Sequence, residues 1–273
     1  MSAITTLTRR PRGRIGDRLL HAYTWLIIVW LSSPIAVMIL FGFNDKKSKS
    51  NTSWQGFTLR WYQELFDISD LTTALKNSLT VAVASTIVTV VIGTMLGLAL
   101  GRHRFRGRGV TNFLVFAAIS TPELVMGASL LSLFVSANLP RDAVTIIIAH
   151  VLFSLSFVTV TVRARVITLD PSLEEAARDL GATGWGTFRQ VTLPAVMPGV
   201  LAGAMLAFAL SIDDYVVTSF VNGSTITFPL WIIGSVKTGI PPQVNVMGTL
   251  IFGIGVLIAI ANAVAARRSS RST

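Results

Sequence analysis

Six long apolar runs constrain this sequence more than any other feature. A helix of about 20 apolar residues crosses the hydrocarbon core of a bilayer, and each run reaches that length. Hydrophobic residues make up 52% of the 273 residues and charged residues only 13%, which is too apolar for a soluble domain. We therefore expect an all-α membrane protein with six transmembrane helices. The predicted spans are 22–43, 76–100, 111–138, 143–167, 196–221 and 245–266.

Basic residues lie in blocks beside these runs and predict the topology. Sixteen of the 23 Lys and Arg residues fall on one side: in both terminal segments, in the loop between spans two and three, and around the loop between spans four and five. Because Lys and Arg are enriched in cytoplasmic loops, this side is predicted to be cytoplasmic, with both termini inside. The predicted divisions are a basic segment at 1–21, a membrane domain at 22–267 and a tail at 268–273.

Composition also excludes several classes of function. The net charge of +10 would suit a nucleic-acid partner, but its arrangement in blocks beside apolar spans indicates topology and contact with anionic lipid. The absence of cysteine excludes disulfides, thiolate metal sites and cysteine nucleophiles. The first run follows a basic segment, as in a signal peptide. It is too long for that, and no small-x-small cleavage site follows, so we expect an uncleaved anchor.

The polar stretch between the first two spans contains several aromatic residues. Its segment 61–66, with sequence WYQELF, suits a short helix at the outer membrane interface, where aromatic rings are favoured. An ordered loop packed on the helix bundle explains the same residues equally well.

Residues 170–194, here called the elbow, form a short polar segment between spans four and five. Ser172 and Glu175 have the spacing of a capping box, and Gly181 suits the left-handed residue that closes a helix. A second short helix at 184–191 is expected to end before Leu193-Pro194, because proline cannot continue it. The sequence thus predicts two short helices joined at a glycine hinge, with Ala176 and Ala177 leaving one face without bulk.

The elbow resembles the EAA loop of ABC importer permeases. The matching pattern is Glu175-Ala176-Ala177, Gly181 and Val191-x-Leu193-Pro194, with valine in place of the commoner isoleucine. The resemblance implies a type I importer permease fold in the bacterial inner membrane, with coupling helices that dock on an ATPase subunit. It also implies several partners: a second permease that is a different chain, two copies of a cytoplasmic ATPase, and an extracytoplasmic binding protein.

The chain contains no G-x-x-x-x-G-K-[ST] run with which to cradle phosphates. ATP and Mg are therefore expected on the ATPase subunit, with no cofactor and no enzymatic activity on this chain.

Further segments are similar to the second permease subunit of bacterial spermidine/putrescine transporters, and together with the elbow they cover nearly the whole chain. This resemblance implies polyamine import. Permeases for other organic cations, thiamine or iron chelates share parts of these motifs. The segments are SWQGF at 53–57 with Trp61-Tyr62, RFRG at 104–107, TPELVM at 121–126, DDYVV at 213–217, PLWI at 229–232 and VKTGI at 236–240.

Three acids within the spans are candidates for a polycation pathway. A carboxylate in the bilayer costs about 2.5–3.5 kcal/mol on insertion scales, so such acids usually have a function. Glu123 is predicted near the midplane, with Pro122 allowing a bend there, and Asp213 and Asp214 near the outer interface. Adjacent helical residues point about 100° apart, so one Asp could line the pathway while the other caps or pairs. Tyr215 could add a ring, although aromatic residues in membrane helices are far more often packing residues or part of the interfacial belt.

Structural roles remain an alternative for each of these acids. His150 is expected to be a hydrogen-bonded histidine of the bundle and not a metal ligand. Two other classes of protein also remain open. An ion-coupled secondary transporter would require inverted repeats, and an intramembrane enzyme would require a nucleophile–base or metal constellation. Neither feature is visible in the sequence.

Overall fold

The computed structural model of the protein describes residues 14–46, 51 and 53–269. Over these residues it is helical, with one isolated β-bridge between Asn44 and Phe57. A single π-helical turn at Phe188–Thr192 joins α8 to α9. The helices are α1 (Arg14–Phe41), α2 (Arg60–Gln63), α3 (Ser69–Arg102), α4 (Arg108–Ser120), α5 (Glu123–Ser136), α6 (Ala143–Val166), α7 (Ser172–Asp179), α8 (Gly184–Thr187), α9 (Leu193–Asp213), α10 (Val216–Val221), α11 (Phe228–Ser235) and α12 (Pro242–Ser269).

These helices divide into two compact units. The first combines the part of the chain up to residue 65 with the part from residue 237, and holds α1, α2 and α12. Within it α1 packs on α12, where a Cβ at Gly248 would lie 2.8 Å from the sulfur of Met38. The second unit, Phe66–Val236, holds α3 to α11 and every candidate site residue.

The outer loop of the first unit is ordered around Asn44. Its side-chain amide donates to the Asn51 Oδ1 atom at 2.7 Å and to the Ser53 carbonyl at 2.8 Å. Its own carbonyl accepts from the indole N–H of the buried Trp61 at 2.7 Å. The segment is thus an ordered loop that contains a short helix at Arg60–Gln63, and its location at the outer interface stays a prediction.

Helices α3, α6 and α9 form the centre of the second unit, and glycines allow two of them to approach closely. Gly93, Gly97 and Gly101 recur every fourth residue on α3, so they lie on one face. A Cβ at each would come within 2.5–2.9 Å of a valine side chain of α6: Val158, Val162 and Val166 in order. Small residues at such spacing permit close packing of membrane helices, and their period of four was visible in the sequence.

The predicted spans correspond only in part to single helices. Among the residues that the structure describes, four helical stretches are long and apolar enough to cross a bilayer: Gly16–Phe41, Ser69–Arg102, Ala143–Val166 and Gly184–Asp213. They contain the spans predicted at 76–100 and most of those at 22–43, 143–167 and 196–221. The last predicted span, 245–266, lies within α12.

Two of the predicted spans are wrong as continuous helices. The stretch 111–138 consists of α4 and α5, and the chain bends by 109° between them. Thr121 adopts an extended conformation because proline disfavours the helical conformation in the residue before it, and Pro122 has no N–H with which to continue the ladder. The stretch 196–221 is interrupted between α9 and α10, where Asp214 is extended.

Candidate functional site

Two regions of the second unit hold the predicted site residues: the elbow, and the breaks in front of α5 and α10. The elbow reverses direction at Gly181, whose φ of 87° lies in the left-handed region. Its N–H donates to the Arg178 carbonyl at 2.9 Å, and the next N–H donates to the Ala177 carbonyl at 3.0 Å, which satisfies the end of α7. Because a Cβ at Gly181 would meet nothing within 4 Å, glycine is favoured here by backbone conformation and not by space. The prediction that Gly181 closes the first helix in the left-handed conformation is confirmed.

The predicted capping box of Ser172 and Glu175 is wrong. Pro171 already has helical dihedrals (φ −59°, ψ −26°), so Ser172 lies inside the first turn and cannot cap it. Asp170 takes this role, since its Oδ1 atom accepts from the Ser172 N–H at 2.9 Å. This backbone hydrogen bond lowers the pKa of the Asp170 carboxyl below its ordinary value.

The second predicted helix does not end before Leu193-Pro194. Helix α8 passes through the π turn directly into α9, with Pro194 in the first turn of α9. A proline in an α-helix leaves the carbonyl four residues earlier unpaired and crowds it, whereas a π turn widens the backbone at that point. The elbow is therefore continuous with α9, and Leu193 and Pro194 lie at the base of α9.

Helix α7 presents two different faces. Leu173, Ala176 and Leu180, at spacing i, i+3 and i+7, are exposed and form what we call the outward face; Leu180 is 89% exposed. Glu174 and Ala177 lie on the opposite, half-buried side. The sequence had suggested that Ala176 and Ala177 share one exposed face. In the structure they lie on different sides of α7.

The exposed surface of the elbow continues beyond α7. Trp185 of α8 is 69% exposed and stacks on Phe188 with 5.4 Å between ring centroids. Glu175 and Arg178 are also exposed, and they border a cleft of about 360 Å³ between α7 and the end of α3. An apolar protrusion with charged edges is suited to docking in a groove of another protein.

Glu174 was not singled out by its sequence, yet its carboxylate holds three elements together. The Oε1 atom lies 3.4 Å from Arg102 Nη2, at the end of α3. It also accepts from the Thr192 hydroxyl at 3.1 Å, where the π turn joins α9. These long-range contacts leave no local sequence pattern.

The break in front of α10 is closed by Asp214. This buried carboxylate accepts from the Thr218 N–H at 2.8 Å and from the Thr218 hydroxyl at 2.6 Å, with a longer contact from the Val217 N–H at 3.4 Å. It therefore caps α10 in the manner of a helix N-cap. The neighbouring Asp213 is exposed, so the two acids have different surroundings. That one of them lines a pathway stays a prediction.

His150 of α6 completes a buried polar cluster behind Asp214. Its Nε2 atom lies 2.9 Å from the Thr218 hydroxyl and 3.3 Å from Asp214 Oδ2. Thr218 gives its only hydroxyl proton to Asp214, so Nε2–H must be the donor to Thr218. Nδ1 contacts the Ser211 hydroxyl at 2.6 Å, which in turn contacts Ser85 at 3.1 Å. The expectation of a hydrogen-bonded bundle histidine is confirmed; its partnership with Asp214 was missed because 64 positions separate them in the chain.

Helix α10 packs on both α5 and α6 in the second unit. A short connection at 137–142 joins α5 to α6. Thr145, near the start of α6, donates to the Val221 carbonyl at 3.0 Å, and His150, further along α6, meets Thr218, earlier on α10. Helix α10 therefore runs antiparallel to α6.

Helix α5 meets α10 one turn after Glu123. Gly127 of α5 lies directly against the Phe220 ring of α10, where a Cβ would be 2.5 Å from the ring. Glu123 is one turn before Gly127, and Val216 is one turn before Phe220. The prediction that placed Glu123 and Asp213 at different depths assumed a straight helix, whereas the chain bends by 109° in front of Glu123. Their relative depth therefore stays a prediction.

Comparison with known proteins places the chain in a family. Residues 93–271 match the family model described as "Binding-protein-dependent transport system inner membrane component". The chain belongs to this family. The permease is 37% identical over 258 residues to the spermidine/putrescine transport system permease protein PotC of Escherichia coli (strain K12), covering 94% of this chain and 97% of PotC. It is also 37% identical over 243 residues to the putrescine transport system permease protein PotI of the same strain, covering 84% of this chain and 86% of PotI.

A solved structure agrees on the fold of the permease. One chain of a bacterial ABC transporter that imports the acidic polysaccharide alginate superposes with a TM-score of 0.66, covering 93% of this chain and 96% of that chain at 15% identity. The predicted membership of the ABC importer permeases is confirmed, and the chain is an inner-membrane component of such an importer. Its all-helical fold is that of importer permeases.

Proposed function

We propose that this permease imports polyamines, spermidine or putrescine or both. The observation that carries the proposal is the similarity to PotC and PotI over most of the chain, because the names of both relatives give these substrates. The exposed side chains at the two helix breaks support it chemically. Glu123 and Asp213 expose carboxylates there, and Tyr215 is 39% exposed. Carboxylates and aromatic faces are the groups that attract a flexible polycation.

Within this pathway the acids have different roles. Glu123, Asp213 and Tyr215 would contact the substrate, since their side chains are exposed. Asp214 would hold the break in place, since it is buried and already accepts hydrogen bonds from α10. In this proposal Asp214 stabilises the backbone at the break and does not itself contact the substrate, although the sequence had made it a candidate for the pathway.

The topology that fits this role has six spans with both termini in the cytoplasm. Four long helices support it, together with α12 and the bent pair α4–α5, if that pair crosses as one broken span. On this topology the elbow lies on the cytoplasmic side, as the distribution of basic residues requires.

The elbow is the proposed docking element for the motor of the importer. Its outward face, with Glu175 and Gly181 beside it, would enter a groove of a cytoplasmic ATPase subunit. Leu193 and Pro194 would pass the movement into α9, because the helix continues through them. The exposed apolar residues of a short charged segment support this assignment, since such a surface is costly unless a partner covers it.

The complete assembly would contain a second, different permease, two ATPase copies that hold ATP and Mg, and a binding protein that delivers substrate from outside. ATP binding would bring the ATPases together, move the elbow and tilt the spans so that the pathway opens outward. Hydrolysis would reset it. This chain would perform no chemistry on ATP or on the substrate.

Uptake by vesicles containing the whole assembly tests the substrate. Labelled spermidine, putrescine and thiamine are supplied with the binding protein, and ATP is supplied on the ATPase side. We expect uptake of one or both polyamines, with loss of uptake when the ATPase carries a substitution that prevents hydrolysis. Uptake of thiamine alone would refute the polyamine assignment, and uptake that continues without hydrolysis would indicate an ion-coupled carrier.

Co-purification tests the docking role. Glu175→Lys combined with Gly181→Trp places a reversed charge and a large ring on the elbow, and the ATPase should no longer co-purify while membrane insertion is retained. Arg104→Ala, a change at an exposed residue of a different loop, is the control and should not alter association. ATPase recovery equal to that of the unmodified permease would count against docking at the elbow.

A further inference from the structure

The end of α3 carries an arginine that is held from two sides. Arg102 is the last residue of α3, and its Nη1 atom donates to the Leu169 carbonyl in the segment after α6 at 3.2 Å. Its Nη2 atom lies 3.4 Å from Glu174 Oε1 on α7. One guanidinium group thus contacts both the segment in front of the elbow and the elbow itself. The planar, forked side chain of arginine is better suited to two such contacts than the ammonium group of lysine.

The backbone that carries Arg102 is tightly packed. Gly101, the preceding residue, lies against Val166 of α6, and a Cβ there would be 2.5 Å from Cγ1 of this valine. The close contact between α3 and α6 continues at Gly97 and Gly93, towards the start of α3. A force on Arg102 is therefore passed to α3 and α6 together, because tightly packed helices have little room to slide.

The partner carboxylate is linked to α9 as well. Glu174 Oε1 accepts from the Thr192 hydroxyl at 3.1 Å, and Thr192 is the last residue of the π turn in front of α9. Glu174 and Ala177 make up the half-buried side of α7, opposite the outward face. One helix of eight residues therefore has an exposed apolar side and a side tied to the bases of α3 and α9.

We propose that Arg102, Glu174 and Thr192, together called the brace, are positioning residues of the transport cycle that pass movement of α7 to α3 and α9. The proposal rests on the proposed docking of the elbow. Through the brace, side chains connect α7 directly to the last residue of α3 and to the residue in front of α9. Displacement of α7 therefore pulls on the ends of both helices at once.

Burial gives the ion pair of the brace more weight than an ordinary surface pair. The side chains of Arg102 and Glu174 are 16% and 19% exposed, whereas those of the exposed pair Arg60–Glu64 are 49% and 41% exposed. Charges removed from water interact more strongly and are screened less by salt, so the first pair is suited to hold under load.

The test compares substrate uptake with ATP hydrolysis in the complete reconstituted importer, using labelled spermidine as the probe. The variants are Arg102→Ala, the nearly isosteric Glu174→Gln, and Thr192→Val, which removes only the hydroxyl. We expect each to retain the ATPase on purification and to hydrolyse ATP, while uptake per ATP hydrolysed falls about fivefold or more, within the usual range for coupling between sites. Arg104→Ala and Asp179→Asn, at exposed positions nearby, are matched controls that should leave the ratio unchanged.

A charge exchange separates positioning from mere structural support. Arg102→Glu combined with Glu174→Arg should recover part of the uptake per ATP that each single change loses, although the contact with Leu169 is not rebuilt. A normal ratio in both Arg102→Ala and Glu174→Gln would overturn the brace, and so would an exchange variant no better than the single ones. Failure of the docking proposal has a different signature: the ATPase would then still co-purify with the Glu175→Lys, Gly181→Trp variant.

Discussion

A single methyl group added at Gly97 tests whether the close approach of α3 and α6 depends on its glycines. In Gly97→Ala the new Cβ would lie 2.9 Å from both Cβ and Cγ1 of Val162 and 3.1 Å from the backbone nitrogen of Arg163. Favourable contacts between carbon atoms need about 3.5–4.0 Å, so the two helices must separate or shift. Two of the three close atoms, Val162 Cβ and Arg163 N, cannot be moved by rotating a side chain.

The size of the effect follows from two opposing contributions. Overpacking of this kind costs about 1–3 kcal/mol. Alanine is a better helix former than glycine by about 0.8–1.0 kcal/mol, which offsets part of that cost. Gly253→Ala in α12 is the matched control, because a Cβ there meets nothing within 4 Å. The propensity contribution is common to both variants, so Gly97→Ala should be less stable than Gly253→Ala by about 1–3 kcal/mol.

The two variants are compared by thermal or denaturant unfolding of the purified permease in the same detergent, followed by circular dichroism. A lower midpoint for Gly97→Ala than for both Gly253→Ala and the unmodified chain is expected. Equal midpoints for the two variants would show that α3 and α6 are not in the close contact described, and would also remove the rigid support inferred for Arg102.

Further predictions concern the charged groups. Glu123→Gln and Asp213→Asn should each lower polyamine uptake by about tenfold without changing the recovery of the complex. A tenfold loss corresponds to one lost charge-assisted hydrogen bond. Full uptake by both variants would show that these acids are not part of the pathway. Asp214→Asn should instead lower the free energy of unfolding by about 1–3 kcal/mol, as should His150→Ala, and unaltered unfolding midpoints would contradict the buried cluster. The pKa of Asp170 is lowered in the folded protein, so its carboxylate stabilises α7 at neutral pH, and this stabilisation is lost as the pH falls through the lowered pKa. An ordinary pKa for Asp170, measured by NMR titration of its carboxyl group, would refute its capping role.

Local patterns predicted those parts of this protein that depend on neighbouring residues. Long apolar runs located the helices α1, α3, α6 and α12, and the left-handed residue at Gly181 followed from its position after a short helix. Pro122 predicted the bend between α4 and α5, although its angle of 109° was not foreseen. Each of these features depends on residues that are close together in the sequence.

The parts that the sequence did not predict depend on contacts between distant segments. Glu174 has its role only because α3 ends beside it, and the proline at the base of α9 is tolerated only because a π turn forms. The spacing of glycines on α3 was visible, but which valines would meet them required the fold. Charge alone could not separate Asp213 from Asp214, since what distinguishes them is the position of His150.

The break in front of α10 explains why a buried acid is present at all. Backbone that leaves the helix inside a membrane protein must find its hydrogen-bond partners within the protein, because lipid supplies none. Asp214 supplies acceptors to the free N–H groups of Val217 and Thr218, and Nε2–H of His150 lies 3.3 Å from the charge this introduces. The break in the helix is therefore sufficient to explain why Asp214 is buried. No contact between Asp214 and the substrate is needed to explain it. Asp213 is exposed beside this break, and Glu123 is exposed at the start of α5, so neither fills the buried capping role of Asp214. Both therefore stay candidates for contact with the proposed polyamine substrate.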